Sequence, residues 1–252
     1  MARYDFRSPR LFTEAPLAQG VVLPLAPNQT NYLVNVLRLR LGADVLVFNG
    51  RDGEWRAQLT GARKKGAELT VAEHVREQTA PGDLHYLFSP LKHARLDYMV
   101  QKAVELGVSR LQPVIMRRTQ AERVNLDRMR ANAIEAAEQC GILTIPQIAA
   151  PITLEAFARA WVPERLLVFC DEEADVKDPI VALRDARDPA VIAPLRVTLL
   201  IGPEGGFAEE ERAELLKLAN VVRLALGPRI LRADTAAVAA LALAQAVLGD
   251  WR

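Results

Sequence analysis

The chain has 252 residues, 50% of them hydrophobic and 25% charged, with a formal net charge of +1. That is enough chain for one large domain or two small ones, with apolar material for a sizeable core. A charge so close to neutral excludes a whole-molecule field that draws in nucleic acid, so any polyanion must be held by a local patch.

Residues 1–75 carry ten Lys and Arg against seven Asp and Glu, which makes the N-terminal part the basic one. Its start, MARYDFRSPR, is polar and has no apolar signal core. A short helix is expected between Asn28 and Leu41, with Leu33, Val36 and Leu37 on one face and Arg38 and Arg40 near its end. Asp44–Asn49 and Glu54–Leu59, joined by the turn at Gly50–Gly53, read as a β-hairpin. Lys64–Gly66 reads as a second turn before a strand at Ala67–Ala72. Together these predict a small β-barrel with one helix over residues 1–75. The polar, aperiodic stretch around Pro81-Gly82 serves as a linker, placed at 76–83.

From Leu84 the pattern becomes strand–helix alternation, giving an α/β domain over 84–252. Strands are expected at Leu84–Ser89, Leu111–Ile115, Arg165–Cys170, Val197–Ile201 and Val221–Leu226. Helices are expected at Ala94–Leu106, Leu126–Cys140, Glu209–Leu218 and Thr235–Leu248. The continuous apolar runs RLLVFC and VTLLI fit a mainly parallel sheet covered on both faces. The last helix is apolar nearly all round, which suggests that a second subunit covers part of it, as in a homodimer. Ala236–Leu248, the most apolar stretch, is too short to span a bilayer, so no membrane is expected. Cys140 and Cys170 lack CxxC spacing, and His74, His85 and His93 form no ligand pattern. A metal site and a disulfide framework are therefore disfavoured, and a reducing cytoplasm fits.

Two glycine-marked turns carry the functional signal. VTLLIGPEGG ends a strand in Gly202-Pro203-Glu204-Gly205-Gly206, at the sheet edge where α/β proteins bind ligands. It is neither a P-loop nor GxGxxG, which disfavours a nucleotide hydrolase or a dinucleotide dehydrogenase. An ordinary tight turn is equally compatible with the pattern. LGPRILRADTA is placed the same way, with Ile230 and Leu231 as apolar loop residues suited to a flat ring. Asp234 can act chemically or simply begin the following helix.

Taken in order, VLRLRLG with VFNG, Lys92 with QKAVELGV, EAAEQC with Ile145-Pro146, GPEGGF, and LGPRILRADTA resemble the 16S ribosomal RNA (uracil-N3)-methyltransferases of the SPOUT class. The resemblance implies a PUA-like RNA-binding β-barrel joined to an α/β domain tied in a trefoil knot. It further implies a homodimer that uses S-adenosyl-L-methionine (SAM) to methylate N3 of a uridine in small-subunit rRNA, free or within the 30S subunit. Carried over by position, Leu200, Ile201, Gly202–Gly206, Leu226, Gly227, Ile230 and Leu231 hold the cofactor. Arg232 is expected to orient the base or a phosphate and to stabilise charge, with a solvated loop arginine or a cross-subunit ion pair as the alternative. Asp234 is expected to accept the N3 proton or to position the group that does. Arg7, Arg10, Arg38, Arg40 and Lys92 are the RNA contacts, with plain surface charge as the alternative for the arginines. Two departures from the family stand out: Ala233-Asp234 stands where Thr-Glu is usual, and Ile142 where an arginine is usual, leaving Arg117 or Arg118 as a substitute grip. Rival readings are a ribose 2′-O-methyltransferase of the same class and a non-catalytic ribosome-assembly module.

Overall fold

A computed structural model describes residues 7–63, 66–121, 123–175, 178–187 and 196–251. The chain divides into two compact units. The first takes the residues up to Ala80 together with Ala137–Ile145, and the second takes Pro81–Ala136 and the chain from Pro146 onward.

The first unit contains β1 (Arg10–Phe12), β2 (Val22–Pro24), α1 (Pro27–Thr30), β3 (Asp44–Phe48), β4 (Glu54–Arg63) and β5 (Gly66–Arg76). They form a five-stranded sheet in the order β1-β3-β4-β5-β2, antiparallel except for β1 beside β3. The hairpin expected from the alternating sequence is present, with Val47 opposite Trp55. Inward residues such as Val45, Val47, Ala57, Leu59, Leu69 and Val71 make one core, because alternation points every second side chain inward. The turn expected at Lys64–Gly66 lies largely outside the described residues.

The helix expected over 28–41 is corrected. Proline opens α1 at Pro27, but from Asn31 to Val36 the chain widens into a π-helical turn, with Leu37 N–H donating to the Tyr32 carbonyl at 2.9 Å. Arg38 then stops it in the left-handed region, at φ 53°. An apolar stripe spaced for 3.6 residues per turn loses register in a wider helix. Leu33 alone stays buried, while Val36 is 61% exposed and Leu37 38%.

Ala137–Ile145 joins this unit through polar anchors. Glu138 accepts from Phe12 N–H at 2.8 Å, and Arg76 donates to the Gly141 carbonyl at 2.8 Å. The end of the expected long helix therefore belongs with the barrel, which the sequence pattern did not indicate.

The second unit contains β6 (Leu84–Phe88), α2 (His93–Glu105), β7 (Arg110–Ile115), α3 (Leu126–Cys140), β8 (Gln147–Ile148), β9 (Ile152–Thr153) and α4 (Leu154–Arg159). It continues with β10 (Leu166–Cys170), α5 (Pro179–Asp185), β11 (Val197–Ile201), α6 (Glu209–Leu215), β12 (Val221–Leu224) and α7 (Ala233–Val247). The sheet runs β12-β10-β11-β6-β7-β8, with β9 also on β7, and every pairing is parallel. All of β11 is buried, as the unbroken apolar run predicts for a strand covered on both faces. Leu87, Phe169, Leu200 and Phe207 meet in one apolar cluster. The C-terminal ends of β10, β11 and β12 therefore open at one edge, and each is followed by a loop. Among the described residues no helix is long and apolar enough to cross a membrane.

Candidate active site

A cavity of about 280 Å³ sits at that edge, between the loops that follow β10, β11 and β12. The β11 loop supplies Ile201–Phe207, and the β12 loop supplies Leu226, Gly227, Ile230 and Leu231. Of the residues expected to hold a cofactor, Leu200 alone does not line it. It is fully buried in the sheet core, because it precedes Ile201 in β11 and points to the other face.

The β11 loop is shaped by its glycines. Gly206 has φ +72°, a conformation that costs other residues about 1–2 kcal/mol, and donates to the Pro203 carbonyl at 2.9 Å. A Cβ on Gly202 would lie 2.8 Å from the Phe207 ring, which in turn packs edge-on against Phe169 at 5.6 Å. Arg118 Nη1 donates to the Gly205 carbonyl at 2.6 Å. Buried Glu211 closes the loop, accepting from Ala208 N–H at 2.9 Å and from Arg117 N–H at 2.8 Å. These contacts hold the loop rigid, and neither Glu211 nor Arg118 was singled out for that part by the sequence pattern.

The end of β10 contributes Cys170, Asp171 and Glu172 to the cavity, which sequence reasoning missed. Burial, and then the Asp171 charge, push the Cys170 thiol up to about 12, so it stays protonated at neutral pH. Asp171 is 1% exposed and accepts from Arg212 Nε at 2.8 Å and Arg223 Nε at 2.7 Å. Burial by itself raises its carboxyl, but the hydrogen bonds from Arg212 and Arg223 outweigh it and hold the group below its ordinary value. Arg212 is raised in turn, first by its hydrogen bond to Asp171. An acid at the end of one strand, paired to an arginine on the helix after the next, had no local signal except the invitingly charged DEE run. Glu172 is exposed, and its Oε1 lies 2.3 Å from where a Cβ on Gly206 would stand.

Arg232 and Asp234 border the cavity without lining it. Arg232 occupies the N-cap position of α7, is exposed, and makes no capping bond through its side chain. Asp234 is half-buried in the first helical turn, and its Oδ1 accepts from Thr235 N–H at 3.1 Å. Burial raises the Tyr86 phenol, and the charges of Cys170 and then Asp234 add to it. Ile230 is 94% exposed.

The expected RNA contacts separate into two groups. Arg7, Arg38, Arg40 and Lys92 are exposed. Arg10 is 6% exposed in β1, with Nε on Glu54 at 2.5 Å and Nη1 on the Glu138 carbonyl at 3.1 Å. Its expected phosphate contact is set aside: a buried cation already paired to a buried carboxylate has no face left for a phosphate. Among the described residues no group of His, Cys, Asp and Glu is placed to hold a metal ion.

Comparison with known proteins decides what kind of molecule this is. The model of the RNA methyltransferase domain matches residues 78–245, two-thirds of the chain, and that of the RNA methyltransferase PUA domain matches 25–72. The chain belongs to the RNA methyltransferase family. Two relatives are named ribosomal RNA small subunit methyltransferase E. The one from Synechocystis is 32% identical, covering 89% of this chain and 73% of its own, and the one from Rickettsia conorii is 29% identical, covering 92% and 93%. The crystal structure of a ribosomal RNA small subunit methyltransferase E from Neisseria gonorrhoeae, bound to SAM, superposes with a TM-score of 0.79. It is 27% identical and covers 98% of this chain and all of its own. The methyltransferase domain thus holds the cavity, and the PUA domain holds the basic exposed residues Arg38 and Arg40.

Proposed function

We propose that this chain methylates N3 of a uridine in 16S ribosomal RNA, using SAM. The observation that carries the reading is the glycine-shaped cavity at the parallel sheet edge of a chain from this family. The cavity suits the cofactor. Ile201, Leu226 and Leu231 offer apolar surface to a flat adenine ring, and Glu172 offers negative charge to a cationic ligand. The relatives named for small-subunit rRNA and the SAM-bound structure support the substrate and the cofactor.

When bound, SAM supplies a methyl group already activated by its sulfonium, so the protein has to align partners and manage a proton. Holding both reactants in line accounts for up to about 7–11 kcal/mol of the barrier in well-oriented systems. N3 lies on the Watson–Crick edge, so the uridine must be unpaired or swung out. Arg232, unpartnered by any cap and exposed beside Leu231, steadies negative charge on the uracil, and Asp234 takes the N3 proton. Arg7, Arg38 and Arg40 hold phosphates and give binding its salt dependence, and Lys92 is a further RNA contact. The proposal includes a homodimer, supported by the exposed Ile230 and the apolar α7, and a knotted backbone, which the family resemblance implies. A cytoplasmic location is part of the same proposal, on the strength of that substrate.

The test is single-turnover methyl transfer in Arg232→Ala and Asp234→Asn, with SAM affinity measured by calorimetry. Loss of the proton acceptor slows transfer by about 10²–10⁴-fold with SAM affinity retained. Wild-type rates in both variants would remove these assignments.

A further inference from the structure

A second, smaller cavity opens on the other side of the β11 loop. The first lies between that loop and the ends of β10 and β12, and the second between it and the ends of β6 and β7. Pro203 and Glu204 line both, so the two cavities adjoin at a single stretch of loop. The second cavity holds about 110 Å³. With roughly 10–15 Å³ needed per water on that measure, it has room for a single pyrimidine ring and not for a nucleotide or for SAM.

Its lining has the chemistry of a base pocket. Pro90 and Leu91, just after β6, present apolar surface. Gln120, after β7, brings an amide that both donates and accepts. Lys92 and Arg95, from the start of α2, bring donors that carry positive charge. Arg95 Nη1 is ion-paired to Glu204, the residue shared with the cofactor cavity. The floor is fixed by Ser89 and Thr119, whose hydroxyls are 2.9 Å apart, with Thr119 Oγ1 also accepting from Met116 N–H at 2.8 Å.

We propose that this cavity receives the target uracil, with Lys92 and Arg95 against the two carbonyl oxygens that flank N3; this rests on the N3-methylation reading above. When N3 gives up its proton, to the Asp234 carboxylate in that reading, the negative charge spreads over those oxygens. The N3 lone pair then forms the new bond to the methyl carbon. The carbon–sulfur bond breaks, and sulfur leaves as a neutral thioether with the electron pair. Donors placed where charge develops favour the transition state over the ground state. Lys92 thereby acts on the base itself and not on a phosphate.

Both cations can be removed without harm to the fold. Lys92 holds the N-cap position of α2 but makes no side-chain capping bond, and it stands at the end of the helix dipole that disfavours a cation. Arg95 is exposed, as is Gln120. Lys92→Ala, Arg95→Ala and the cavity-filling Gln120→Trp are compared with wild type. The assays are single-turnover methylation at saturating small-subunit rRNA, SAM calorimetry, and RNA binding against salt. The expected result is a loss on the order of 10²-fold in the rate of each alanine variant, with SAM affinity and the salt slope unchanged. RNA transcribed with 5-fluorouridine, whose N3 proton is more acidic, restores much of the rate to the alanine variants and none to Gln120→Trp. Wild-type rates, weakened SAM binding, or a shallower salt slope with an unchanged saturated rate each overturn the proposal, the last by making Lys92 and Arg95 phosphate contacts. Failure of the underlying reading is seen separately, as a wild-type product other than N3-methyluridine.

Discussion

Asp171→Ala tests whether the cofactor edge is braced by buried charge. The Asp171 side chain has no exposed surface, and that of its partner Arg212 is 6% exposed. Removing one member of such a pair leaves an uncompensated buried charge and costs about 3–5 kcal/mol. Arg212 keeps its ion pairs to Glu173 at 3.2 Å and Glu209 at 2.8 Å, both well exposed, so the lower end applies, about 3 kcal/mol. At about 2–4 °C per kcal/mol for a chain of this size, the melting temperature falls by about 6–12 °C. The pH dependence carries a signature as well. The folded-state carboxyl lies below its ordinary value of 3.8, so its contribution is complete above that value and is lost as pH falls through the lower folded-state value. The variant lacks that acid limb. Thermal unfolding followed by circular dichroism across a pH series reads both effects. A melting temperature within about 2 °C of wild type would refute the argument that this pair braces the edge.

Three further outcomes follow from the same reasoning. Gly206→Ala forces a left-handed alanine against Glu172 Oε1, so it lowers stability by about 1–2 kcal/mol and weakens SAM binding, read by calorimetry; wild-type affinity would show that the loop relaxes freely. Arg38→Ala with Arg40→Ala leaves the barrel within about 0.5 kcal/mol of wild type and flattens the salt dependence of RNA binding, whereas Arg10→Ala destabilises the barrel by removing a buried partner of Glu54. His85 is shifted down to about 4, first by its partial burial and then by the nearby Arg165, so it is neutral at pH 7. Below its ordinary 6.5 the unfolded chain takes up a proton that the folded chain refuses, so stability declines from pH 6.5 toward 4; His85→Gln removes that decline in urea unfolding.

What could be read from the sequence was whatever repeats locally. The β3–β4 hairpin follows from alternation around Gly50–Gly53, the buried β10 and β11 from unbroken apolar runs, and α2 from Leu96, Met99, Val100 and Ala103 at helical spacing. The two cofactor loops were legible because glycine and proline mark where backbone must turn at a strand end. Two short helices were overlooked although their caps are plain: Asp178 before Pro179 opens α5, and Thr153 accepts from Ala156 N–H to open α4. The π-helical turn was hidden because its apolar spacing looks like that of an ordinary helix. Contacts between distant residues left no trace at all. Arg10 reaches Glu138, and Asp171 reaches Arg212, only because the fold joins them, so a buried brace read as a surface cation and an edge acid went unnoticed.

The central claim, that the glycine-shaped cavity serves base methylation of small-subunit rRNA, is tested most directly by the product. The purified chain is incubated with methyl-labelled SAM and unmodified small-subunit rRNA, and the RNA is digested to nucleosides for mass spectrometry. The account predicts label in N3-methyluridine, formed far more slowly by Arg232→Ala and at the wild-type rate by Arg38→Ala at saturating RNA. Label in a 2′-O-methyl nucleoside, or no transfer by a protein that binds SAM, would contradict it.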